Sequence, residues 1–429
     1  MNQFTASLWG DEAWAATLAV KSYWEIIKIV SRDTSPPLYY LLLHTWMKFF
    51  GTNEVSIRSL SFLFFLGTVI TVFFVGKLLW DQKTGLLAAV LTLFNPFLFN
   101  YAFEGRMYTL LALTSTLSVY FFLKKNRPGF ILFTVAALYT HHFSLFIIVF
   151  LFLWRLIEIP KKSVGQIIRS FSDFFIVGLL YLPWLYPLYY QTSLVGSGFW
   201  LGKPDFEVFK ETIRKFLVGS GTETLREIAY WLVAALLLLR NWGQKIKKTA
   251  FLFCWFFAAL VLTFLISQKF QSIFYDRYML ISIPASCLLL SSNRRKISLP
   301  PLGILIVVMA ILNFTYFTHP VKKPFRQLAL YAAKELPQAT FINYNGAAHH
   351  LWESKYYKIK APIFSPTPLP FYTGTALMQP DDVIKTLPPV KNIYAITSEN
   401  PKNVTLPAYK EGKIIDFSNL YLVEFNKIK

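Results

Sequence analysis

Two adjacent carboxylates near the start of the chain, Asp11 and Glu12, are the first side chains that could do chemistry. Neighbouring residues on an α-helix point about 100° apart, so one carboxylate can act on a substrate while the other supports it or binds. A carboxylate in an aromatic-lined groove is well suited to accept a proton from a sugar or lipid hydroxyl. The alternative is a solvated helix start, where acidic side chains interact favourably with the helix dipole.

A second pair of charges, Glu104 and Arg106, lies just before Tyr108 between two apolar segments. The loop can be only a few residues long, which would hold both charges at the mouth of a bundle of membrane helices. There the arginine can neutralise a phosphate, while the glutamate can orient a sugar hydroxyl or a metal ion. A helix-capping salt bridge is the alternative.

Two further candidate sites are His141-His142 and Asp276-Arg277-Tyr278. Adjacent histidines cannot both face one site from a helix, but one of them could bind an acceptor, a phosphate or a divalent cation. The planar fork of Arg277 suits a lipid phosphate. The alternatives are a structural histidine at a helix turn and an arginine that extends to the lipid headgroups.

The segments that must position these residues are apolar. Apolar residues make up 55% of the 429 and charged residues only 15%, which indicates a polytopic membrane protein. The net charge of +20 does not indicate nucleic-acid binding, because the basic residues lie in short clusters between apolar segments. Cys254 and Cys287 lie far apart in apolar segments, so we expect small core side chains rather than a disulfide or a metal pair.

Basic clusters predict the topology, because lysine and arginine accumulate on the cytoplasmic side of a membrane. The clusters are Lys77 with Lys83, Lys124-Lys125 with Arg127, Arg155 with Lys161, Lys162 and Arg169, Arg240 to Lys248, and Arg294-Arg295-Lys296. The apolar segments between them predict membrane crossings at 58–79, 84–100, 107–123, 171–190, 226–240, 249–267, 278–292 and 298–318.

The apolar segment 130–154 has cytoplasmic charge on both sides, so a single crossing would break the alternation. We therefore predict a hairpin of two short helices that turns at His141-His142. A single long helix with a misassigned neighbour is the alternative. The hairpin brings the total to about ten crossings, with both termini outside the cell.

This topology predicts three domains. Residues 1–57 form an extracytoplasmic first loop, 58–318 form the transmembrane domain, and 319–429 form a small extracytoplasmic α/β domain. In the first loop, residues 38–50 are expected to form an amphipathic helix at the interface. In the last domain, a helix is expected at 325–335 and strands at 340–343, 392–397 and 420–425. An external amino-terminal segment needs a helix that delivers it across the membrane, so we expect a first transmembrane helix to be missing from this sequence.

The order and spacing of several motifs resemble bacterial membrane glycosyltransferases related to the protein O-mannosyltransferases and the lipid A aminoarabinose transferases. The motifs are Asp11-Glu12, Ser35-Pro36-Pro37-Leu38-Tyr39-Tyr40, Gly51, Arg58, Glu104-Gly105-Arg106-Met107-Tyr108, Thr140-His141 and Arg277-Tyr278. The resemblance covers about residues 8–318. It implies an all-α polytopic membrane protein of the C-type glycosyltransferase fold, with about ten transmembrane helices. A small C-terminal extracytoplasmic α/β domain is also typical.

The resemblance implies an inverting glycosyltransferase in the plasma (inner) membrane. It would move a hexose or pentose from a polyprenyl-phosphate donor to a lipid, glycan or protein acceptor on the outer face. Asp11 would be the general base and Glu104 the second acidic residue near the sugar. Arg106 and Arg277 would hold the donor phosphate. The remaining substrate-binding residues would be Glu12, Tyr108, His141 and Tyr278.

Two positions depart from the pattern of the relatives. They often carry a histidine or a charged residue where Ser35 stands, and a tyrosine where His142 stands. A metal or acceptor role tied to these positions therefore does not carry over. No cofactor is implied with certainty, and a divalent cation stays open. Membrane lipids are expected partners and nucleic acid is not.

A transporter or flippase for a lipid-linked or anionic solute is the main alternative. It predicts inverted repeats and broken helices with charges near the middle of the bilayer. The candidate charges of this chain instead cluster at the ends of apolar segments. A non-catalytic scaffold is a third interpretation. The enzymatic interpretation requires Asp11 and the two arginines to face a single extracytoplasmic cavity.

Overall fold

The computed structural model describes residues 1–158, 164–220, 223–238, 246–292, 299–344 and 348–428. The chain divides into two compact units. The helical unit consists of residues 34–39 and 58–318. The sheet unit consists of residues 1–33, 40–57 and 319–429, so it joins the beginning of the chain to its end.

The described residues form α-helices over most of their length. In chain order, the helices are α1 Gly10–Ala19, α2 Tyr23–Val30, α3 Leu38–Phe50, α4 Glu54–Leu79, α5 Gln82–Phe94, α6 Pro96–Tyr101, α7 Tyr108–Leu123, α8 Arg127–Thr140, α9 Ser144–Ile157, α10 Val164–Tyr181, α11 Leu185–Gly196, α12 Phe206–Val218, α13 Glu223–Leu238, α14 Ile246–Lys269, α15 Ile283–Ser291, α16 Leu299–Thr318, α17 Phe325–Glu335 and α18 Ala348–Tyr356.

Four helical stretches in the described part of the chain are long and apolar enough to cross a membrane. They are Glu54–Leu79, Phe171–Gly196, Ile246–Lys269 and Leu299–Thr318. The apolar helices α5, α7 and α9 are shorter than the roughly 20 residues that a bilayer needs. The chain is thus an integral membrane protein, as the composition predicts, while the count of ten crossings stays a prediction.

The predicted hairpin turn is found at the expected place. Helix α8 ends at Thr140, His141 has an extended backbone, and α9 begins at Ser144. The alternative of one long helix through this segment is therefore wrong. The predicted cytoplasmic residues Lys161 and Lys162, the residues 240–245 and the cluster 294–296 lie outside the described residues.

Two other segments differ from the prediction. The crossing predicted at 84–100 is broken after Phe94, because a proline lacks a backbone N–H and disfavours a helical conformation of the residue before it. The Asn95 side chain caps the next helix, α6, and also donates to the Phe216 carbonyl at 2.9 Å. The crossing predicted at 278–292 begins instead as a 3₁₀-helix, Asp276–Ser282, followed by α15.

Glycines bring α4 and α5 close together within the helical unit. A Cβ atom on Gly76 would lie 2.7 Å from the Gly85 Cα, and one on Gly85 would lie 2.5 Å from the Phe73 carbonyl oxygen. Between membrane helices the apolar surroundings give no strong hydrophobic drive, so close backbone packing at small residues stabilises the contact.

The sheet unit contains the predicted α/β fold. Its strands are β1 Thr340–Tyr344, β2 Ile363–Phe364, β3 Val383–Ile384, β4 Asn392–Thr397, β5 Tyr409–Asp416 and β6 Tyr421–Lys427. They form one sheet in the order β3-β2-β1-β4-β6-β5, parallel from β3 to β4 and antiparallel beyond it. The predicted helix, α17, and the three predicted strands, β1, β4 and β6, are all present.

Alternate residues of the strands pack into two separate apolar cores. In β1, Phe341 joins the core that contains α17, while Ile342 joins the other. In β6, Leu422 and Val423 divide in the same way. Successive side chains of a strand point to opposite faces, so this pattern buries both faces of the sheet.

The beginning of the chain packs on this domain. Helix α1 contacts α18, the Trp14 indole N–H donates to the Gly374 carbonyl at 3.4 Å, and the Tyr357 hydroxyl accepts a bond from the Leu8 N–H at 2.9 Å. Gly374 has a φ of +83°, and a Cβ there would lie 2.7 Å from the Trp14 ring.

We predict that Gly85→Ala destabilises the helical unit, because the added Cβ would collide with the backbone of α4. The free energy of unfolding of the purified protein in detergent should fall by about 1–3 kcal/mol, as for other overpacked interiors. The matched control is Gly303→Ala on α16, where a Cβ meets no atom within 4 Å. Alanine should be neutral or slightly stabilising there. Equal effects of the two substitutions would contradict the close packing of α4 on α5.

Candidate functional site

Arg277 lies in the 3₁₀-helix that precedes α15 in the helical unit. Its guanidinium carbon lies 4.4 Å from the ring centre of Tyr275 and 5.7 Å from that of Tyr108. The guanidinium donates hydrogen bonds to the Tyr108 hydroxyl, at 3.2 Å, and to the Tyr275 hydroxyl. Ring faces and hydroxyls together fix the direction in which this cation points.

The structure brings Tyr278 and His141 to the same cluster. The Tyr278 ring centre lies 4.7 Å from that of His141, 5.2 Å from that of Tyr275 and 6.2 Å from that of Tyr108. His141 is buried, and its Nδ1 accepts a hydrogen bond from the Phe143 N–H at 3.2 Å. We call Tyr108, His141, Tyr275, Arg277 and Tyr278 the arginine cluster.

The loop between α6 and α7 faces the arginine cluster. Arg106 lies close enough to His141 for its charge to interact with the imidazole. Glu104 and Arg277 both interact electrostatically with Tyr101, whose ring centre lies 5.2 Å from that of Tyr108. Helix α4 holds the loop through a hydrogen bond, which the Ser61 hydroxyl donates to the Arg106 carbonyl at 3.3 Å. All the predicted site residues of the helical unit therefore lie around one group of side chains.

The two adjacent histidines lie in the turn between α8 and α9, and they have different surroundings. The Nε2 atom of His142 lies 2.7 Å from the side-chain oxygen Oε1 of Gln191. The Nδ1 atom of His142 lies 3.3 Å from the Tyr181 hydroxyl. The Gln191 amide donates in turn to the Ser35 carbonyl at 3.4 Å. His142 thus contacts α11, which bonds to Ser35 through Gln191, while His141 belongs to the arginine cluster.

Helix α12 and its Lys215 were missed by sequence reasoning, which predicted no helix between the crossings at 171–190 and 226–240. The Lys215 ammonium lies 2.8 Å from the Asp276 carboxylate, and the same carboxylate accepts the Arg277 backbone N–H at 2.8 Å. The amphipathic pattern of 206–218 was the available signal. Next to this ion pair lies a cavity of about 640 Å³, lined in part by Lys203, Glu207, Glu211, Lys215, Tyr275 and Asp276.

The two carboxylates of α1 lie in the sheet unit and point in different directions. Glu12 is fully buried, forms an ion pair of 2.9 Å with Lys322, and accepts the Trp9 backbone N–H at 3.3 Å. The Asp11 side chain is 25% exposed, and its Oδ1 lies 4.0 Å from Nδ1 of His349. Glu12 therefore anchors α1, and Asp11 is the carboxylate that can reach another molecule.

Burial favours the uncharged forms of two side chains of α18, Glu353 and His350. Burial raises the pKa of the Glu353 carboxyl well above its usual range; the nearby acids Glu12 and Asp11 raise it too, and Lys323 opposes them. Burial also lowers the pKa of His350 to about 3, and Lys323 adds to this. Near neutral pH His350 is therefore neutral and adds no charge beside Asp11, while burial shifts Glu353 towards its neutral form.

A divalent cation has no evident ligand set in the described parts of the chain. Within the ranges that the structure describes, no group of three or more His, Cys, Asp or Glu side chains is placed to hold a metal ion. The divalent cation that the sequence leaves open therefore gains no assigned ligands.

The fold of the chain is similar to that of known membrane proteins. Residues 34–186 match the family model described as dolichyl-phosphate-mannose-protein mannosyltransferase. No curated protein matches the chain in sequence.

Among solved structures, ArnT from Cupriavidus metallidurans in the apo state is similar, with a TM-score of 0.63 at 12% identity over 98% of this chain and 94% of that one. The same ArnT bound to undecaprenyl phosphate has a TM-score of 0.59 at 13% identity with the same coverage. The oligosaccharyltransferase AglB from Archaeoglobus fulgidus, in complex with an inhibitory peptide and a dolichol-phosphate, has a TM-score of 0.50 at 12% identity over 91% of this chain and 66% of that one.

The chain thus has the fold of ArnT over almost its whole length, and residues 34–186 match the mannosyltransferase family model. The resemblance that the sequence motifs indicate is confirmed.

We predict that Glu12→Gln lowers the free energy of unfolding by about 3 kcal/mol, because it removes the charge that faces a nearly buried ammonium. Glutamine keeps the size of the side chain and an acceptor for the Trp9 N–H. Denaturant titration followed by tryptophan fluorescence measures the effect. The double variant Glu12→Gln/Lys322→Met should be more stable than Glu12→Gln alone. Additive losses would show that the two charges are not coupled.

Proposed function

We propose that the protein is an inverting glycosyltransferase that moves a sugar from a polyprenyl-phosphate donor to a lipid, glycan or protein acceptor on the outer face of the plasma membrane. The observation that carries the proposal is Arg277, a cation fixed by Tyr108 and Tyr275 at the end of an apolar helix bundle. A guanidinium held in this way suits a phosphate whose lipid is anchored in the bilayer.

The leaving group is a lipid phosphate, which explains why cations and one base are sufficient for sugar transfer. The acceptor oxygen forms a bond to the anomeric carbon as the bond from that carbon to the phosphate oxygen breaks, and the electron pair stays on the phosphate. Arg277 and Arg106 stabilise this developing charge. Asp11 takes the proton of the acceptor hydroxyl. Attack from the side opposite the phosphate inverts the anomeric configuration.

The other predicted residues have supporting roles in this proposal. Glu104 accepts a hydrogen bond from a sugar hydroxyl, and His141, Tyr108 and Tyr278 line the sugar and phosphate positions. Glu12 acts indirectly, because its buried ion pair with Lys322 holds the helix that carries Asp11. Alignment of acceptor, anomeric carbon and phosphate supplies much of the rate advantage.

The similar proteins support a polyprenyl-phosphate donor. The matched family is described by a dolichyl-phosphate sugar and a protein acceptor. ArnT was solved with undecaprenyl phosphate, and AglB with a dolichol-phosphate and a peptide. The lipid phosphate is common to all three, while the acceptors differ, so the proposal keeps the lipid, glycan and protein acceptors open.

We predict that Asp11→Asn lowers kcat by about 10²–10⁴-fold, the usual contribution of a general base. The assay follows consumption of polyprenyl-phosphate sugars by the purified protein in detergent, with native membrane extract as the source of acceptor. Asp381→Asn, an exposed aspartate of the sheet unit, is the matched control and should keep full activity. Equal turnover by the Asp11→Asn variant and the unchanged protein would rule out the base role.

We predict that Arg277→Lys weakens donor use about tenfold or more in kcat/KM, because an ammonium cannot stack on Tyr275 or present a planar fork. Arg127→Lys is the matched control. Arg127 pairs with Asp173 at the opposite end of α8 from His141, so its replacement should leave donor use intact. Loss of activity in both variants alike would point to general destabilisation instead.

A further inference from the structure

Helix α18 of the carboxyl-terminal domain places a histidine beside the carboxylate of α1. Nδ1 of His349 lies 4.0 Å from Oδ1 of Asp11, and the histidine side chain is 53% exposed against 25% for the aspartate. We propose that His349 is a positioning residue for Asp11, orienting its carboxylate and setting its strength as a base. The inference rests on the proposed function, in which Asp11 is the general base.

The distance between the two side chains is set by packed backbone. A Cβ atom on Gly10 would lie 2.4 Å from the Cβ of His349, so α1 approaches the start of α18 as closely as a residue without a side chain allows. Asp11 directly follows Gly10 in the same helix. The Trp14 contact with Gly374 and the Trp352 bond to the Thr373 carbonyl, at 3.2 Å, brace both helices further along.

A neutral imidazole can orient the carboxylate. N–H···O hydrogen bonds are about 2.9 Å long, so a side-chain rotation that shortens the observed distance by about 1 Å lets Nδ1–H donate to Oδ1. One carboxylate oxygen would then be fixed and the other would be directed to the acceptor hydroxyl. A base held in one orientation meets the geometric demand of proton transfer better than a freely rotating one.

The charge state of His349 also determines how strong a base Asp11 is. The groups that face the pair are Glu12 from α1, His350 and Glu353 from α18, and Lys322 and Lys323 from the segment before α17. Lys322 is paired with Glu12, while burial keeps His350 neutral near pH 7 and favours the neutral form of Glu353. Histidine is the side chain type that changes charge near neutral pH. A positive imidazolium close to Asp11 would stabilise its carboxylate and so weaken it as a base.

The test is the pH dependence of the donor-consumption assay, measured for the unchanged protein and for His349→Gln and His349→Ala. Activity of the unchanged protein should fall on acidification, because a positive charge on the imidazole would weaken Asp11 as a base. His349→Gln keeps an N–H donor without a titrating charge, so it should retain at least about half of kcat at pH 8 and lose that acid-side decline. His349→Ala should lower kcat about tenfold and leave KM for the donor unchanged, because the donor phosphate is held by the arginines.

Two comparisons and a folding control separate the possible outcomes. Lys334→Gln, which removes an exposed cation of α17, should leave both kcat and the pH profile unchanged. Asp11→Asn/His349→Ala should be no slower than Asp11→Asn alone, since the histidine acts only through Asp11. Should His349→Ala fail to fold, which thermal unfolding would reveal, His349→Gln carries the test.

Two results would overturn the inference. If Asp11→Asn is inactive while both His349 variants keep the kcat and pH profile of the unchanged protein, the inference fails and the proposed function stands. If Asp11→Asn is fully active, the base role and the inference fail together.

Discussion

A guanidinium at the edge of an apolar helix bundle must be compensated by its neighbours, and the arrangement of the helical unit around Arg277 meets this constraint. An unpaired charge next to hydrocarbon is costly. Here two tyrosine hydroxyls accept its N–H groups and two ring faces lie beside it. The Asp276 carboxylate accepts the backbone N–H of the same residue and pairs with Lys215 of α12. The guanidinium is thus stabilised and fixed in direction, and recognition of a lipid phosphate would require both properties.

In the sheet unit a carboxylate is compensated by a neighbouring charge in a similar way. One acid of the Asp11-Glu12 pair is buried with a lysine and caps its own helix, and this leaves the other partly exposed on a fixed backbone. A helix rotation of about 100° per residue makes this division unavoidable for adjacent residues. The buried ion pair is a poor source of net stability, but removal of one partner is costly, so it holds α1 in one position.

Local patterns in the sequence predicted much of the fold. Helix α3 has the predicted bounds, the turn at His141-His142 is present, and α17 with β1, β4 and β6 lie where alternation and turn residues indicated. One wrong prediction has a local cause as well. The apolar run 84–100 looked continuous because hydropathy does not register the helix break that Pro96 imposes.

The candidate site was less predictable, because its contacts join residues far apart in the chain. Charge and motif order pointed to Arg106, His141 and Arg277, but no periodicity indicates that Tyr275 and Tyr108 hold the guanidinium. His349 was missed for the same reason, since its relation to Asp11 depends on how α18 packs on α1, more than three hundred residues away in sequence. The burial of Glu12 likewise became visible only through its partner, Lys322.

Sugar transfer is tested most directly by following both halves of a labelled donor in proteoliposomes. The vesicles would contain the purified protein, a polyprenyl-phosphate sugar labelled in the sugar and in the phosphate, and lipid, glycan and peptide acceptors. We expect sugar-free polyprenyl phosphate to accumulate in step with a glycosylated acceptor whose anomeric configuration is inverted. Movement of the intact donor between leaflets, with no release of polyprenyl phosphate, would contradict transfer and indicate a transporter instead.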